Sequence, residues 1–486
     1  MPRVATATRG VRARASQAEP GGLSLHWAGR TWQPRRGAAP GVQVPVLTEE
    51  VFGETGGGRL IQGDSLDVAR ALSEEGLAGK VDLVYVDPPF ASQADYIHEA
   101  RLDGPADGRV RQTKAYVDSW HTGSGGDGIG AYLDMLAPRL EAMAGLLAPT
   151  GTLWVHVDWR AAYLVRVLLD EIVGRGRFVN EIVWRRAPNL GRQAASGQFG
   201  RTLDTLVVYG GPRARLTPPT RLEPIAPSSI RHDEEGRPFT TAPRGDYTDT
   251  SMARLAREGR VHRTATGKLY VKYFLQPNRE GELCRERRVD TLWTDVPPLR
   301  HARVSERTGF PTQKPLALLE RIVTCASPEG GTVVDLFAGS GTTAEAAHAL
   351  GRRFIAADMG PVALNVARAR LLRAGASFRV QRCGPVATPA APPPKVIVKR
   401  HRSGDVTLDL RSPKEPLAWA VGPVGHPFRA AWHASRIPGA TPTPAPHEAT
   451  LRLPSASAEV RVYADDGTVG VTTCKTMPAM AHAEAP

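Results

Sequence analysis

The chain has 486 residues, of which 41% are hydrophobic and 23% charged, and its formal net charge is +13. This length allows two or three domains with a large buried core, and the positive charge fits a polyanionic partner such as nucleic acid. No apolar run approaches the roughly 18 residues of a membrane span, and four scattered cysteines without a CxxC pair argue against a disulfide framework or a cysteine-based zinc site.

The first folding pattern follows an arm that is rich in Gly, Pro and Arg. Residues 1–55 show little periodicity and are predicted to form a basic, disordered arm. A short strand over 59–62, a helix over 65–77 and a buried strand over 81–86 then give a β-α-β pattern, which implies a parallel sheet. The tetrapeptide Asp87-Pro88-Pro89-Phe90 ends the last of these strands.

A polar, Gly-rich segment from residue 91 to about 128 is predicted to be a long loop. Apolar periodicity then predicts a helix, a strand, a second helix and two more strands, over 132–147, 151–157, 161–172, 181–184 and 205–209. Residues 211 to about 300 carry many Arg and Pro residues and few apolar runs, which indicates an inserted segment.

A second α/β pattern follows this segment. Its helix, strand, helix, strand and final helix are predicted over 316–326, 332–336, 343–350, 353–358 and onwards to about residue 373. Residues 384–394 are rich in Pro and Ala and form a linker. Two hairpin-like stretches after it predict a small β-rich C-terminal module.

A Gly-rich turn over 335–343 lies between a predicted strand and the helix that follows it. Glycine lets a ligand approach the backbone closely, and the helix start offers free N–H groups. Asp358 ends the next strand, where an acid can accept hydrogen bonds from ribose hydroxyls. This combination predicts a nucleoside-cofactor site rather than a plain turn, and the absence of Gly-Lys-Ser/Thr excludes a phosphate-binding P-loop.

The second chemical motif is Asp87-Pro88-Pro89-Phe90, at the carboxyl end of a parallel strand. Proline has no N–H to donate, so an ionised Asp beside an outward carbonyl makes a pair of acceptors that suits an amino group. The Phe90 ring offers a face on which a planar base can stack. A strand that simply ends in a Pro-Pro turn with a capping Asp is the structural alternative.

Together, these motifs resemble the amino-methylating DNA methyltransferases of the β arrangement, the DNA methylase N-4/N-6 family. Asp87-Pro88-Pro89-Phe90 is similar to the catalytic D/N/S-P-P-Y/F/W motif, and Phe337-Ala338-Gly339-Ser340-Gly341 to the F-x-G-x-G cofactor loop. Thr312-Gln313-Lys314-Pro315 resembles the T-Q-K-P motif, and Gly63-Asp64 the G-D near the cofactor adenine. Stand-alone adenine methylases and modification subunits of type III restriction systems carry this motif order.

The resemblance implies an α/β, Rossmann-like fold of S-adenosylmethionine-dependent methyltransferases, with a mostly parallel central sheet and an inserted target-recognition region. The expected division of the chain is an arm (1–55), a catalytic half with the DPPF motif (56–210), the inserted region (211–305), a cofactor-binding half (306–380), a linker (381–395) and the β-rich module (396–486). The C-terminal module has no counterpart in the family that identifies its role.

The resemblance also assigns residues to roles. The catalytic residues implied are Asp87, Pro88, Pro89 and Phe90. The implied cofactor-binding residues are Asp64, Thr312, Gln313, Lys314, Pro315, Asp335, Phe337, Ala338, Gly339, Ser340, Gly341, Thr342, Thr343 and Asp358. DNA contacts are expected from Arg254, Arg257, Arg260, Arg263, Lys268, Lys272, Arg285, Arg287 and Arg288, for which a solvated basic surface is the alternative.

The activity implied is transfer of a methyl group from S-adenosylmethionine to adenine N6 of double-stranded DNA, after the base flips out of the helix. Cytosine N4 is the alternative target, and Asp rather than Ser at position 87 favours adenine. Methylation of RNA or protein, and a non-catalytic DNA-binding role, remain open as well. A restriction subunit or a second copy of the chain is the expected protein partner. No membrane partner is expected, and the expected location is the bacterial cytoplasm, in association with the nucleoid.

Two further expectations concern histidine. Many relatives carry His before the acid that corresponds to Asp204, whereas this chain has Arg201-Thr202-Leu203-Asp204, which leaves one contact of the base pocket in question. His121, His156 and His262 lack metal-ligand spacing and are interpreted as structural, and no metal site is predicted.

Overall fold

A computed structural model gives the architecture of the chain. It describes residues 24–27, 29–34, 44–54, 57–92, 94–101, 110–120, 128–188, 197–386, 389–401, 406–413, 416–435, 448–451, 457–464 and 466–475. His121 and residues 1–23 of the predicted arm lie outside these ranges.

The first part of the chain alternates strands and helices. Its elements are β1 (Val46–Phe52), β2 (Gly58–Gln62), α1 (Ser65–Leu72), β3 (Val81–Val86), β4 (Ala94–Arg101), β5 (Val110–Asp118), α2 (Ile129–Ala144), β6 (Leu147–Val157), α3 (Ala162–Leu169), β7 (Phe178–Arg185) and β8 (Leu203–Gly210).

The middle segment is built mainly from short strands. It contains β9 (Thr220–Pro224), β10 (Arg231–His232), β11 (Pro238–Pro243), α4 (Asp249–Arg257), β12 (Val261–Arg263), β13 (Leu269–Pro277), β14 (Leu283–Arg288) and β15 (Leu292–Trp293).

Helices return before the chain ends in strands. These elements are α5 (Leu316–Ala326), β16 (Thr332–Asp335), α6 (Thr342–Ala349), β17 (Arg353–Asp358), α7 (Pro361–Arg373), β18 (Phe378–Cys383), β19 (Lys395–Arg400), β20 (Val406–Ser412), β21 (Ala418–Pro423), β22 (Phe428–Ala430), β23 (Trp432–Ser435), β24 (Glu448–Leu451), β25 (Ser457–Tyr463) and β26 (Val469–Lys475).

A mostly parallel sheet forms the centre of the first compact unit, which comprises residues 1–215 and 294–486. Its strands lie in the order β7-β8-β6-β3-β16-β17-β2-β18-β1-β22, and the six from β6 to β18 run parallel. β3 and β16 are neighbours in this sheet. The strand that follows β3 in the parallel part, β6, lies on one side of this pair, and the strand that follows β16, β17, lies on the other side. Ligands bind in α/β sheets at such a switch point, at the carboxyl ends of the strands.

The apolar residues of strands and helices explain this layering. Helices α1, α2 and α3 pack Val68, Leu136 and Val165 against sheet residues that include Val84 and Val334, in one buried core. Both faces of a parallel sheet are covered, so β3 and β16 are buried along almost their whole length and are rich in Val. The α/β methyltransferase-like fold expected from the sequence is thereby confirmed.

Two expectations for irregular segments were wrong. Residues 46–52 of the predicted disordered arm form β1, which pairs antiparallel with β18 at the edge of the central sheet. Residues 94–118 of the predicted loop contain a β-hairpin, β4 paired with β5, apart from 102–109, which are outside the described residues. The hairpin escapes periodicity analysis because most of its described side chains are polar or exposed.

The inserted segment contains a second compact unit, residues 216–293. Strands β10-β11-β13-β14-β9 form an antiparallel sheet, with β12 paired to β13. Met252 and Leu255 of α4 pack on Val271 in the small core of this unit.

The β-rich C-terminal region expected from the sequence is confirmed. Two sheets, β19-β20-β24 and β23-β21-β25-β26, enclose a core that includes Leu408, Trp419 and Val460. Strand β22 pairs parallel with β1 and so extends the central sheet. No helix in the described ranges has the length and hydropathy needed to cross a membrane.

Candidate active site

One cavity of about 610 Å³ opens at the switch point between β3 and β16. Its volume is in the range of sites for small molecules and cofactors. It is lined by all four residues of the DPPF motif and by most of the predicted cofactor residues, namely Asp64, Thr312, Gln313, Lys314, Asp335, Phe337, Ala338, Gly339, Ser340, Thr342, Thr343 and Asp358. Pro315 and Gly341 do not line it; they are the N-terminal caps of α5 and α6.

The centre of the site is the carboxylate of Asp87. Its Oδ2 accepts a hydrogen bond from the Nζ of Lys314, which also donates to the carbonyl oxygen of Thr312 at 3.2 Å. Among the described residues, the buried Oδ1 has no hydrogen-bond partner. A buried acceptor without a partner is costly, so this oxygen is an unsatisfied polar atom at the site.

The Lys314 side chain therefore reaches the DPPF motif as well as the Gly-rich side of the cavity. It lies 227 residues from Asp87 in the chain, and its Nζ lies 5.1 Å from the centre of the Phe90 ring. Both side chains of this ion pair are largely buried, so each compensates the charge of the other where water does little to screen it.

The Phe90 ring packs on a buried series of hydrogen-bonded polar side chains. It stacks on the His156 ring with centroids 6.0 Å apart, and Trp184 meets the same His156 edge-on. His156 Nδ1 lies 2.8 Å from the Tyr85 hydroxyl, and Nε2 lies 3.3 Å from Asp204 Oδ2. Burial raises the pKa of Tyr85 well above its usual value, so its hydroxyl keeps its proton beside the His156 ring.

Asp204 is the last side chain of this hydrogen-bonded series. Burial opposes its ionisation, but the hydrogen bond and charge of His156, together with Arg186 at 2.7 Å, lower the pKa of Asp204 overall. The residue before Asp204 is Leu203 rather than histidine, and Asp204 pairs instead with His156 of β6. His156 lies behind Phe90 and is not among the described residues that line the cavity.

The Gly-rich loop is held by the two acids that flank it. Asp335 accepts hydrogen bonds from the Phe337 N–H at 3.0 Å and the Thr343 hydroxyl at 2.5 Å. Burial raises the pKa of Asp335 to about 7, against the effect of these two hydrogen bonds. Asp358 accepts from the N–H groups of Gly339 at 2.9 Å and Gly360 at 2.8 Å. Both carboxylates line the cavity while they fix the loop.

The loop backbone fits a nucleoside cofactor. Gly339 and Gly341 have φ of +50° and +76°, a region that glycine adopts without strain. A side chain on Gly341 would lie 2.8 Å from Cβ of Ala367, and one on Gly339 would lie 3.2 Å from the Phe310 ring. The bare backbone leaves room for a ligand, and Asp64 and Asp358 at the cavity offer acceptors for ribose hydroxyls.

Asp64 and the TQKP segment have structural partners too. Asp64 caps α1 through the Leu66 N–H and pairs with Arg139 of α2. Gln313 is buried, and its side chain accepts from the Thr308 N–H at 2.8 Å and donates to the Glu306 carbonyl. Thr312 has a φ of +59°, which is strained for a β-branched residue.

Sequence reasoning missed several residues of the site. Tyr96, Lys114 and Tyr116 of the hairpin line the cavity, and the Tyr116 hydroxyl lies 3.0 Å from that of Thr312. Asp118, at the end of β5, binds the backbone after the DPPF motif. The segment Tyr116–Trp120 is rich in aromatic and acidic residues, but nothing local indicates which backbone it meets.

The predicted DNA-binding residues all lie in the second unit. Six are exposed: Arg254, Arg257, Arg263, Lys268, Arg287 and Arg288. Three are half-buried: Arg260, Lys272 and Arg285, and the last two lie over the rings of Phe239 and Tyr273. Arg287 pairs with Glu223 at 3.0 Å.

Comparisons with known proteins agree with this site. Residues 81–369 match the N6/N4 DNA methylase family. The type II methyltransferase M.EcaI of Enterobacter cloacae is 26% identical over 306 residues, which are 57% of this chain and 62% of that protein. The Mod subunit of the type III restriction-modification enzyme StyLTI of Salmonella typhimurium is 25% identical over 393 residues, 70% of this chain and 58% of that protein.

A solved structure of an M1.HpyAVI-SAM complex is similar with a TM-score of 0.35 and 17% identity, over 64% of this chain and 98% of that one. The chain spans about three fifths of the length of the two curated relatives. The family match covers more than half of the chain and includes the DPPF motif, the TQKP segment and the Gly-rich loop. The chain therefore belongs to the N6/N4 DNA methylase family.

Proposed function

We propose that this chain transfers a methyl group from S-adenosylmethionine to the exocyclic N6 of adenine at specific sites in duplex DNA. The observation that carries the proposal is the Asp87 carboxylate at the cavity that the Gly-rich loop also lines, because its Oδ1 has no hydrogen-bond partner among the described residues. An amino group donates well to such an oxygen, whereas a hydroxyl nucleophile would need a base to remove its only proton.

The Gly-rich loop, Asp64 and Asp358 would hold S-adenosylmethionine in this cavity. When bound, it supplies a methyl group on a positively charged sulfur. The target base enters the same cavity after it flips out of the duplex, and it stacks on Phe90, whose place is fixed by His156.

Catalysis rests on the amino group, whose lone pair is delocalised into the ring. Its two N–H groups donate to Asp87 Oδ1 and to the Pro88 carbonyl, which draws the lone pair out of conjugation and aims it at the methyl carbon. The nitrogen carries positive charge once the methyl is transferred, so the Asp87 carboxylate stabilises that charge and can accept the surplus proton. Lys314 keeps the carboxylate in place through Oδ2.

Adenine is favoured over cytosine by the Asp at position 87, which is a pattern of the family. Both bases present an exocyclic amino group, and the acceptor pair serves either one. Nucleoside analysis of the methylated DNA therefore decides the base.

The test is the transfer of labelled methyl from S-adenosylmethionine to unmethylated duplex DNA, followed by digestion to nucleosides. We expect the label on N6-methyladenine. Asp87→Ala should lower the rate at least about 10³-fold, because it removes the acceptor that activates the nitrogen, while the Kd of S-adenosylmethionine stays within about threefold, since the cofactor loop is unchanged.

The matched control is Asp67→Ala, which removes a half-buried carboxylate of α1 that does not line the cavity and lies 4.0 Å from Arg70. It should leave the rate unchanged. Label only on N4-methylcytosine would overturn the adenine assignment. Label on RNA or protein but not on DNA would overturn the substrate class, and bound cofactor without any transfer would favour a non-catalytic DNA-binding relative.

We also propose that the exposed basic residues of the second unit contact DNA phosphates. Arg257 and Arg263 are exposed, and no ion pair is recorded for either within the described ranges. The double variant Arg257→Gln/Arg263→Gln should weaken duplex binding and lower the slope of log K against log salt by about 2.

The control for this experiment is Arg221→Gln/Arg237→Gln. These two arginines belong to the same unit but pair with Glu223 at 2.7 Å and with Asp233 at 2.8 Å. Their loss should change the salt slope by less than the test variant does. Equal slopes for all three proteins would mean that the predicted residues form a solvated basic surface.

A restriction subunit or a second copy of the chain is proposed as protein partner, since the StyLTI relative is a Mod subunit. The molar mass of the purified chain by light scattering, alone and with duplex DNA, separates a monomer from a dimer. A monomer that methylates DNA at full rate would contradict a required second copy.

A further inference from the structure

Asp118 is a buried carboxylate that the proposed reaction does not use. It accepts five hydrogen bonds: from the N–H groups of Phe90 at 3.1 Å, Ala91 at 3.0 Å and Ser92 at 2.8 Å, from the Ser92 hydroxyl at 2.7 Å and from the Trp120 indole at 2.9 Å. Within the described residues it has no ion-pair partner and does not line the cavity. Its charge is stabilised by the N–H and O–H donors that surround it.

The backbone that Asp118 binds is the continuation of the catalytic motif. Three successive N–H groups converge on one carboxylate only if the chain turns sharply, and Ala91 accordingly has a φ of +54°. This conformation is unfavourable for a residue other than glycine, and it persists only where the surroundings hold it. The hydrogen bonds to Asp118 supply that hold.

The same carboxylate joins the motif to the hairpin above the cavity. Asp118 is the last residue of β5, and the Tyr96 hydroxyl of β4 donates to the Ser92 hydroxyl at 3.0 Å. The rings of Tyr96 and Tyr116 stack with centroids 4.8 Å apart. The position of Phe90 is thereby coupled to the hairpin that lines the cavity.

We propose that Asp118 is a positioning residue, which sets the backbone of residues 90–92 and so places the Phe90 ring and the Asp87 carboxylate for the target base. The inference rests on the proposed function, because the base is the ligand for which the motif is placed. Asp118 is not proposed as a catalytic residue, because its side chain binds the backbone of residues 90–92 and does not line the cavity that would hold the base and the cofactor.

The substitution that tests this is Asp118→Asn, which keeps the size of the side chain. Oδ1 accepts from Ala91 and Trp120, whereas Oδ2 accepts from Phe90 and Ser92, so an amide N in either place faces donors instead of accepting from them. Hydrogen exchange of the backbone amides of residues 90–92 should become faster. The kcat of methyl transfer should fall about 100-fold, as expected for a displaced catalytic group, while the Kd of S-adenosylmethionine stays within about threefold.

Asp95→Asn is the matched control, because Asp95 lies on the same hairpin, is exposed and pairs with Lys114 at 2.8 Å. It should leave both exchange at 90–92 and kcat unchanged. Ser92→Ala is a milder second variant, which serves if Asp118→Asn fails to fold. It removes only one of the five donors to Asp118, so it should lower kcat by a smaller factor, about tenfold.

The outcomes separate this inference from the proposed function. Fast exchange at 90–92 with an unchanged kcat would overturn the positioning role, and so would a kcat lost without any change in exchange. An unmodified enzyme that transfers no methyl to DNA would instead count against the proposed function, while the exchange measurement still tests whether Asp118 holds the backbone.

Discussion

Four of the carboxylates at the cavity or its loops, Asp87, Asp118, Asp335 and Asp358, differ in their hydrogen bonds. Asp358 and Asp118 accept hydrogen bonds from backbone N–H groups on both carboxylate oxygens. Asp335 accepts from a backbone N–H on one oxygen and from the Thr343 hydroxyl on the other. Asp87 alone among these four has an oxygen without a partner in the described residues. At the residue scale, therefore, the three acids that hold the backbone have their hydrogen bonds satisfied by the fold, whereas Asp87, the acid proposed to act on a substrate, has one oxygen that the described fold does not satisfy.

Asp335 gives a prediction for stability against pH. Burial raises its pKa to about 7, above the usual value of an unfolded Asp, so the folded chain binds a proton that the unfolded chain releases. Its contribution to stability is fully present below about pH 4 and is lost as the pH rises through about 7. Between pH 5.5 and 8.5, the free energy of unfolding of the wild type should fall by about 2 kcal/mol relative to Asp335→Asn.

Urea unfolding at several pH values measures this difference. The Asn side chain can accept from the Phe337 N–H and donate to the Thr343 hydroxyl, so the fold keeps its hydrogen bonds. Parallel pH profiles for the two proteins would show that Asp335 is ionised throughout this range.

At the scale of elements, the site depends on how loops enter helices. Gly341 is the cap of α6, and its positive φ lets the Gly-rich loop turn directly from β16 into the helix. The segment 312–314 similarly bends through the strained Thr312, which directs Lys314 to Asp87. Each motif thus places its functional group through a backbone conformation that few residues adopt.

Gly341→Ala should destabilise the chain and weaken the cofactor site. The added Cβ would lie 2.8 Å from Cβ of Ala367, and the positive φ adds strain, so a loss of about 2–5 kcal/mol in the free energy of unfolding is expected. The Kd of S-adenosylmethionine, measured by calorimetry, should rise at least about tenfold, an affinity change of about 1.4 kcal/mol.

Gly351→Ala is the control for this variant. Gly351 follows α6, has a φ of +72° and would meet only the Glu329 side chain, at 3.6 Å. It should cost about 1–2 kcal/mol through strain alone and leave cofactor affinity unchanged. Equal losses for both glycines would contradict the crowding at Ala367.

At the scale of the whole molecule, the C-terminal module is joined to the methyltransferase part through a buried acid. Glu50 of β1 lies 3.1 Å from the guanidinium of Arg368 on α7 and 2.9 Å from that of Arg461 on β25. The Tyr463 hydroxyl donates to it at 3.1 Å. The module is therefore part of the first compact unit rather than an appendage behind its linker.

Glu50→Gln should lower the free energy of unfolding by about 3–5 kcal/mol, because the buried guanidinium of Arg368 loses its counter-charge, while Arg461 keeps its ion pair with Glu459. Neighbouring Glu49 pairs with Arg382 at 3.1 Å in a more exposed setting, so Glu49→Gln should cost less than about 1 kcal/mol. Chemical denaturation of both variants checks the difference. Similar small losses would mean that the module is joined mainly by apolar packing.

The sequence by itself determined the family, the α/β fold and the two motifs, because these features are local. A strand followed by DPPF, and a strand, a Gly-rich turn and a helix, are each read from a few consecutive residues whose periodicity and backbone needs are specific. The helix over 316–326 and the strands over 81–86 and 353–358 have the bounds that periodicity predicts. The roles of the individual site residues stay predictions until the variants are measured.

Only the tertiary structure decided which groups meet. Lys314 pairs with Asp87 across 227 residues, and His156 with Asp204 across 48. Asp118 binds the backbone of a segment that the sequence presents as a loop. Such contacts depend on the order of strands in the sheet and on the placement of the hairpin, which no local pattern encodes. Periodicity records which face of an element is buried, but it carries no information about the partner that covers it.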